Sequence, residues 1–171
     1  MRVAGIDPGT RHCGWGVVER HGTRLVHVAH GIIHTDDKTS IAARLVVIER
    51  GLVEMVHEHT PDVASVEALF FAKDAQAAAK LGHARGVVLL VFARAGIDVH
   101  EYAPAHVKRA VAGTGRADKT QIAHMVRVIL GLPVPPRADA SDALALAVTH
   151  LQQVQLVGQP QYPARSTRRT S

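Results

Sequence analysis

Apolar and polar positions follow two different periods along this chain. Val3-Ala4-Gly5-Ile6 is apolar without interruption between Arg2 and Asp7, which predicts a strand over residues 2–6 covered on both faces. Residues 14–20 and 24–34 predict two more strands joined by the turn His21-Gly22-Thr23, so the first three form an antiparallel meander. The period then changes. Ile41, Leu45, Ile48, Leu52 and Met55 recur at helical spacing and predict a helix over 39–58, stopped at Pro61. A strand over 63–67 follows, then a long helix over 74–95 with Asp74 as N-cap and Gly96 at the C′ position. A strand over 98–102 leads to a helix over 104–111 that opens on Pro104. Helices over 118–130 and 138–153 flank the breaker Pro133-Val134-Pro135-Pro136. Three leading strands, then strands alternating with helices, imply an α/β fold with a five-stranded mixed sheet flanked by helices. Residues 1–153 are expected to form one domain, and residues 154–171, rich in Gln, Pro, Ser, Thr and Arg, a disordered basic tail.

Composition narrows this only a little. No apolar run approaches the roughly 20 residues of a membrane span, and the start enters structure at once, unlike a signal peptide. The single cysteine, Cys13, permits no intrachain disulfide and fits a cytoplasmic protein. A net charge of +5 hints at an anionic partner such as nucleic acid. Arg165, Arg168 and Arg169 in the acid-free tail supply +3 of it, however, so the folded body is only mildly basic.

The candidate chemistry lies in four carboxylates. Asp7 ends the first strand and opens the turn Asp7-Pro8-Gly9-Thr10, Glu67 ends the strand over 63–67, and Asp139 and Asp142 open the last helix. Each has an ordinary explanation: a turn residue, a solvated strand end, a pair of helix caps. Spacing of three nevertheless puts Asp139 and Asp142 on one helix face, and strand ends of an open α/β sheet are where sites form. Carboxylates gathered without a cation raise one another's pKa values, and divalent Mg²⁺ or Mn²⁺ with oxygen ligands is the usual remedy. Phe70, one of only six aromatic residues, follows Glu67 closely and suits either core packing or stacking on a base. Lys108, Arg109, Arg116 and Lys119 cluster around a Gly-rich loop as a solvated face or a phosphate-binding surface. Gly82 and Gly86 share a helix face and imply close packing, within the monomer or across a dimer.

Read together, Gly5-Ile6-Asp7-Pro8-Gly9, Val66-Glu67 with Phe70, Leu81-Gly82-His83-Ala84-Arg85-Gly86, Tyr102, Pro104, Val107-Lys108, residues 113–119 and residues 139–145 resemble the RuvC family of bacterial Holliday-junction resolvases over about residues 1–151. The resemblance implies an RNase H-like fold, a homodimer, and resolution of four-way DNA junctions by paired nicks. It implies Asp7, Glu67, Asp139 and Asp142 as the catalytic, metal-binding acids, with two Mg²⁺ per site and Mn²⁺ as a substitute. Lys119 and Lys108 fall on the family's basic positions near the scissile phosphate, Phe70 on its aromatic contact to the opened junction, and Gly82 and Gly86 on its dimer helix. Contact with the branch-migration proteins RuvA and RuvB is implied by the family alone. Two alternatives stay open on the residues themselves: an RNase H-like nuclease for another structured nucleic acid, and a non-catalytic junction-binding module. The Asp7-Pro8-Gly9-Thr10 turn also resembles the phosphate loop of actin-like kinases, but the second Gly-rich loop those enzymes need does not occur here.

Overall fold

A computed structural model of the chain describes residues 1–68 and 75–157. Its strands are β1 (Arg2–Asp7), β2 (His12–His21), β3 (Arg24–His34), β4 (Val63–Glu67) and β5 (Asp98–Tyr102). Its helices are α1 (Ile41–His59), α2 (Ala75–Arg94), α3 (Pro104–Ala112), α4 (Lys119–Leu130) and α5 (Ala138–Val157). The sheet order is β3-β2-β1-β4-β5. β1 pairs antiparallel with β2, and β2 with β3, whereas β4 runs parallel to both β1 and β5.

The apolar run of β1 is explained by its central place, with helices on both faces. Val3, Val18 and Val63 point into one core with Leu144, Val148 and Leu151 of α5, joined by Val107 of α3 and Val126 of α4. Ala4, Ile6, Val17 and Val66 point the other way, against Ile48 and Leu52 of α1 and Val88 and Phe92 of α2. Helix ends carry the chemistry expected of them. Ser40 caps α1 by accepting a hydrogen bond from Ala43 N–H, Pro104 opens α3, and Asp118 forms a reciprocal capping box with Gln121. Gly96, just beyond α2, sits at φ +67°.

Three boundaries differ from the sequence expectations. β2 starts at His12 rather than at residue 14, because the β2/β3 ladder continues to the pair His12 and His34. α1 starts after Ser40, the second of two adjacent residues able to cap it. α5 continues to Val157, past Gln153, into what was expected to be tail. Asp74, Phe70 and residues 158–171 lie outside the described residues.

Candidate active site at the sheet end

Parallel pairing of β1 with β4 puts Ile6 opposite Val66, so Asp7 and Glu67 emerge together from neighbouring strand ends. The face of the sheet shared by Val3, Gly5 and Asp7 is closed by the start of α5, and three glycines let it come close. A Cβ on Gly5 would overlap the Ala143 carbonyl, one on Gly14 the Asp139 carbonyl, and one on Gly16 the Leu144 side chain. Glycine within strands marks such backbone approaches. Asp139 and Asp142, in the first turns of α5, are thus laid against the end of β1.

The electrostatics record this gathering. Asp7 is pushed from the ordinary 3.8 up to about 7, first by burial and then by the charges of Asp142, Asp139 and Glu67, with Lys119 opposing. Glu67, at the rim, is also raised by burial and by Asp142, while Lys119 and Lys108 pull it back. Lys119 Nζ stands 3.1 Å from Asp142 Oδ2, and this contact raises the ammonium's own pKa. Asp7, Glu67, Asp142, Lys108 and Lys119 all line one cavity of about 220 Å³, walled by Pro104 and Val107. A second cleft on the far side of the two strand-end acids is lined by Asp7, Glu67, Leu81 and Arg85. Asp7 and Glu67 therefore form a ridge between two clefts.

This donor set fits divalent metal ions. It is all oxygen, it carries more negative charge than its one close lysine offsets, and its innermost member is held near neutrality for lack of a cation. As the side chains stand, no three donors among the described residues converge tightly enough to close a shell, and Lys119 occupies Asp142. The adjacent Cys13 offers no thiolate, since burial pushes it up to about 12.

Not every predicted residue joins the site. Arg116 is exposed on the loop before α4, where its backbone N–H donates to Thr114 Oγ1, and it does not line the cavity. Among the described residues nothing stands near where a Cβ on Gly82 or Gly86 would lie, so no close packing of these two glycines within the monomer is seen there. Phe70 lies outside the described residues.

Other residues were missed by sequence reasoning. Besides the glycine cradle, two arginines hold the acid-bearing strand ends. Arg44 of α1 donates from Nε to the Thr10 carbonyl (2.9 Å), and Arg85 of α2 donates from Nη1 to the Glu67 carbonyl (2.6 Å). The glycines could have been found as interruptions inside strand patterns. Arg85 could have been found as a lone charge on the apolar stripe that continues through Val88 and Phe92.

Comparison with known proteins agrees with this geometry. The family profile described as crossover junction endodeoxyribonuclease RuvC matches residues 3–150. The chain is 60% identical over 151 residues to the crossover junction endodeoxyribonuclease RuvC of Sorangium cellulosum, covering 88% of this chain and 84% of that protein. It is 54% identical over 150 residues to the one from Parvibaculum lavamentivorans, covering 88% and 86%. Among solved structures, T. thermophilus RuvC in complex with Holliday junction substrate superimposes with a TM-score of 0.87 at 38% identity, covering 92% of this chain and 96% of that one. The yeast mitochondrial Holliday junction resolvase Ydc2, at 13% identity, shares the fold with a TM-score of 0.65 over 91% of this chain and 80% of that one. With its RNase H-like mixed sheet and its acids at the ends of the two parallel central strands, the chain belongs to the RuvC family of crossover junction endodeoxyribonucleases.

Proposed function

We propose that this protein is a structure-selective endonuclease that resolves four-way DNA junctions in recombination and repair, nicking two strands symmetrically by Mg²⁺-dependent phosphodiester hydrolysis. The observation that carries this reading is Asp7, a half-buried carboxylate raised to about 7 by burial and by three other carboxylates from two further elements. Asp7, Glu67, Asp139 and Asp142 would hold Mg²⁺, two ions per site, with Mn²⁺ as a substitute. Bound divalent ions supply the positive charge that activates water and stabilises a leaving oxygen.

The chain's own groups do the rest. Glu67 comes from the strand beside Asp7 and the pair Asp139 and Asp142 from α5, so the acids around Asp7 are supplied by two further elements. Lys119 and Lys108 line the same cavity and offer cationic donors to a phosphate there. Arg116, exposed beside this cavity wall, suits a contact to the DNA backbone farther out. Phe70 follows Glu67 by three residues and is assigned to stacking against an opened junction.

Two-fold nicking calls for two sites in one assembly. The open face of α2 around Gly82 and Gly86 is the surface proposed for a homodimer. RuvA and RuvB are the branch-migration partners of this reading, and the cytoplasm is its compartment. Among the described residues no helix is long and apolar enough to cross a membrane.

The test compares wild type with Asp7→Asn on four-way DNA, linear duplex and structured RNA in Mg²⁺. Wild type should cut the four-way junction selectively, and the variant should bind it but not cut it. Undiminished cleavage by Asp7→Asn, or preference for RNA, would refute the assignment.

A further inference from the structure

We infer that Arg85 is a positioning residue for the metal seat: it fixes the strand end that presents Glu67 and thereby sets the affinity of the site for divalent cations. The inference rests on Glu67 being a metal ligand. Arg85 is a charged residue on the buried face of α2, 5% exposed, between buried Ala84 and Val88. A guanidinium in such a place is costly unless its donors are matched. Two of them are matched, on different elements. Nη1 donates to the Glu67 carbonyl at 2.6 Å, and Nη2 pairs with Glu101 Oε1 of β5 at 2.5 Å.

These contacts fall where the sheet ends. Glu67 is the last residue of β4, and Ala68 N–H makes a final ladder bond to the Tyr102 carbonyl. That bond holds the N–H side of the Glu67–Ala68 peptide group, and Arg85 holds its carbonyl side, so the two together set the direction in which the strand end presents the Glu67 side chain. Arg85 holds that strand end from behind, and it lines the cleft on the far side of Asp7 and Glu67 from the lysines. Lysine cannot reproduce the arrangement, because one ammonium lacks the planar fork that reaches both acceptors. Groups that orient metal ligands from behind usually change metal affinity by about 10–100-fold when removed.

A mere staple between α2 and the sheet would make a different prediction, and the Mg²⁺ dependence separates the two. The experiment measures, for wild type, Arg85→Met, Arg85→Lys and Glu101→Gln, the Mg²⁺ concentration giving half of the maximal rise in melting temperature. The same titration is read from cleavage of a four-way junction. For Arg85→Met both half-saturation points should rise by roughly tenfold or more, with the rate recovering towards wild type at saturating Mg²⁺. Arg85→Lys should fall between the two, and Glu101→Gln, which leaves the carbonyl bond in place, should titrate like wild type. If Arg85→Met only lowers the metal-free melting temperature and titrates like wild type, the inference is overturned. Should Arg85→Met fail to fold, Arg85→Lys decides by the same criterion. A wild-type protein whose melting temperature ignores Mg²⁺ would overturn the metal reading itself, which is a separate result.

Discussion

Two ionisable groups packed along α5, Asp7 against its first turns and His150 further along it, are pushed by burial in opposite directions. At the start of α5, Asp139 and Asp142 crowd Asp7 and help push it up to about 7. About three turns further on, His150, 1% exposed, accepts or donates at Nδ1 with the Tyr102 hydroxyl 2.7 Å away and lies against the His100 ring at 4.5 Å. Burial, then the charges of His100 and Arg20, push His150 down to about 4. An imidazole has a neutral form that still makes hydrogen bonds, so His150 settles among its neighbours uncharged. Asp7 has no such escape, because its neutral form needs a proton, and burial together with Asp142, Asp139 and Glu67 pushes it up to about 7. A shifted pKa therefore does not identify a functional site on its own. A conflict of charges does when it has no internal solution and opens on a cleft.

The sharpest break in this comparison is Asp7→Asn. It should abolish junction cleavage, raise the melting temperature of the metal-free protein and remove its response to Mg²⁺, all measurable by cleavage assay and thermal unfolding. A variant that is destabilised without metal would mean Asp7 is held by favourable contacts, as His150 is. Next in size, Lys119→Met should slow cleavage by about 10²-fold while leaving junction binding nearly intact, checked by single-turnover rates and a binding titration. Equal loss of binding and rate would demote Lys119 to a backbone contact.

Gly5→Ala forces a methyl into the Ala143 carbonyl. It should cost about 1–3 kcal/mol in denaturant unfolding and weaken the Mg²⁺ response. An unchanged Mg²⁺ response would show that the acids tolerate a displaced α5.

The smallest effect is in pH. His150 takes up a proton on unfolding between about pH 4 and its ordinary 6.5, so its share of stability is complete above 6.5 and lost as pH falls to about 4. Asp7 has the reverse sign. Its raised pKa makes the folded state bind the proton more tightly, so stability is gained as pH falls from about 7 towards 3.8. The two slopes oppose each other in the metal-free protein. His150→Gln should leave the acid-stabilising slope exposed, and Asp7→Asn the acid-destabilising one, in melting temperatures taken from pH 7 to 4. Parallel slopes in both variants would refute the contrast.

How much of this could be read beforehand depends on where each signal resides. Asp7 and Glu67 were legible because a strand end shows as the end of an apolar run, and parallel pairing follows from the crossover through α1. The Asp139 and Asp142 pair was legible from helical spacing. What could not be read was contact made across the fold. The extension of β2 to His12 depends on His34 as its partner across the ladder, and no local pattern around Arg11 announces that. The partnership of Arg85 with the Glu67 carbonyl joins residues 18 apart through a backbone atom, which has no sequence identity to recognise. Gly82 and Gly86 were legible as a close-approach signal but not as to what approaches, since among the described residues nothing does.

The cradle of Gly5 and Gly14 has a consequence for how this enzyme can vary. Where a helix rests on side chains, each exchange of one apolar residue for another shifts it slightly, and anything it carries drifts along. Here the start of α5 rests on peptide groups, whose dimensions no mutation elsewhere can alter. Substitutions at Val148 or Leu151 can thus loosen or tighten the domain while the distance from Asp7 to the α5 acids stays fixed. The candidate site is insulated from the evolution of its own core, at the cost of two positions where any side chain would strike the backbone of α5.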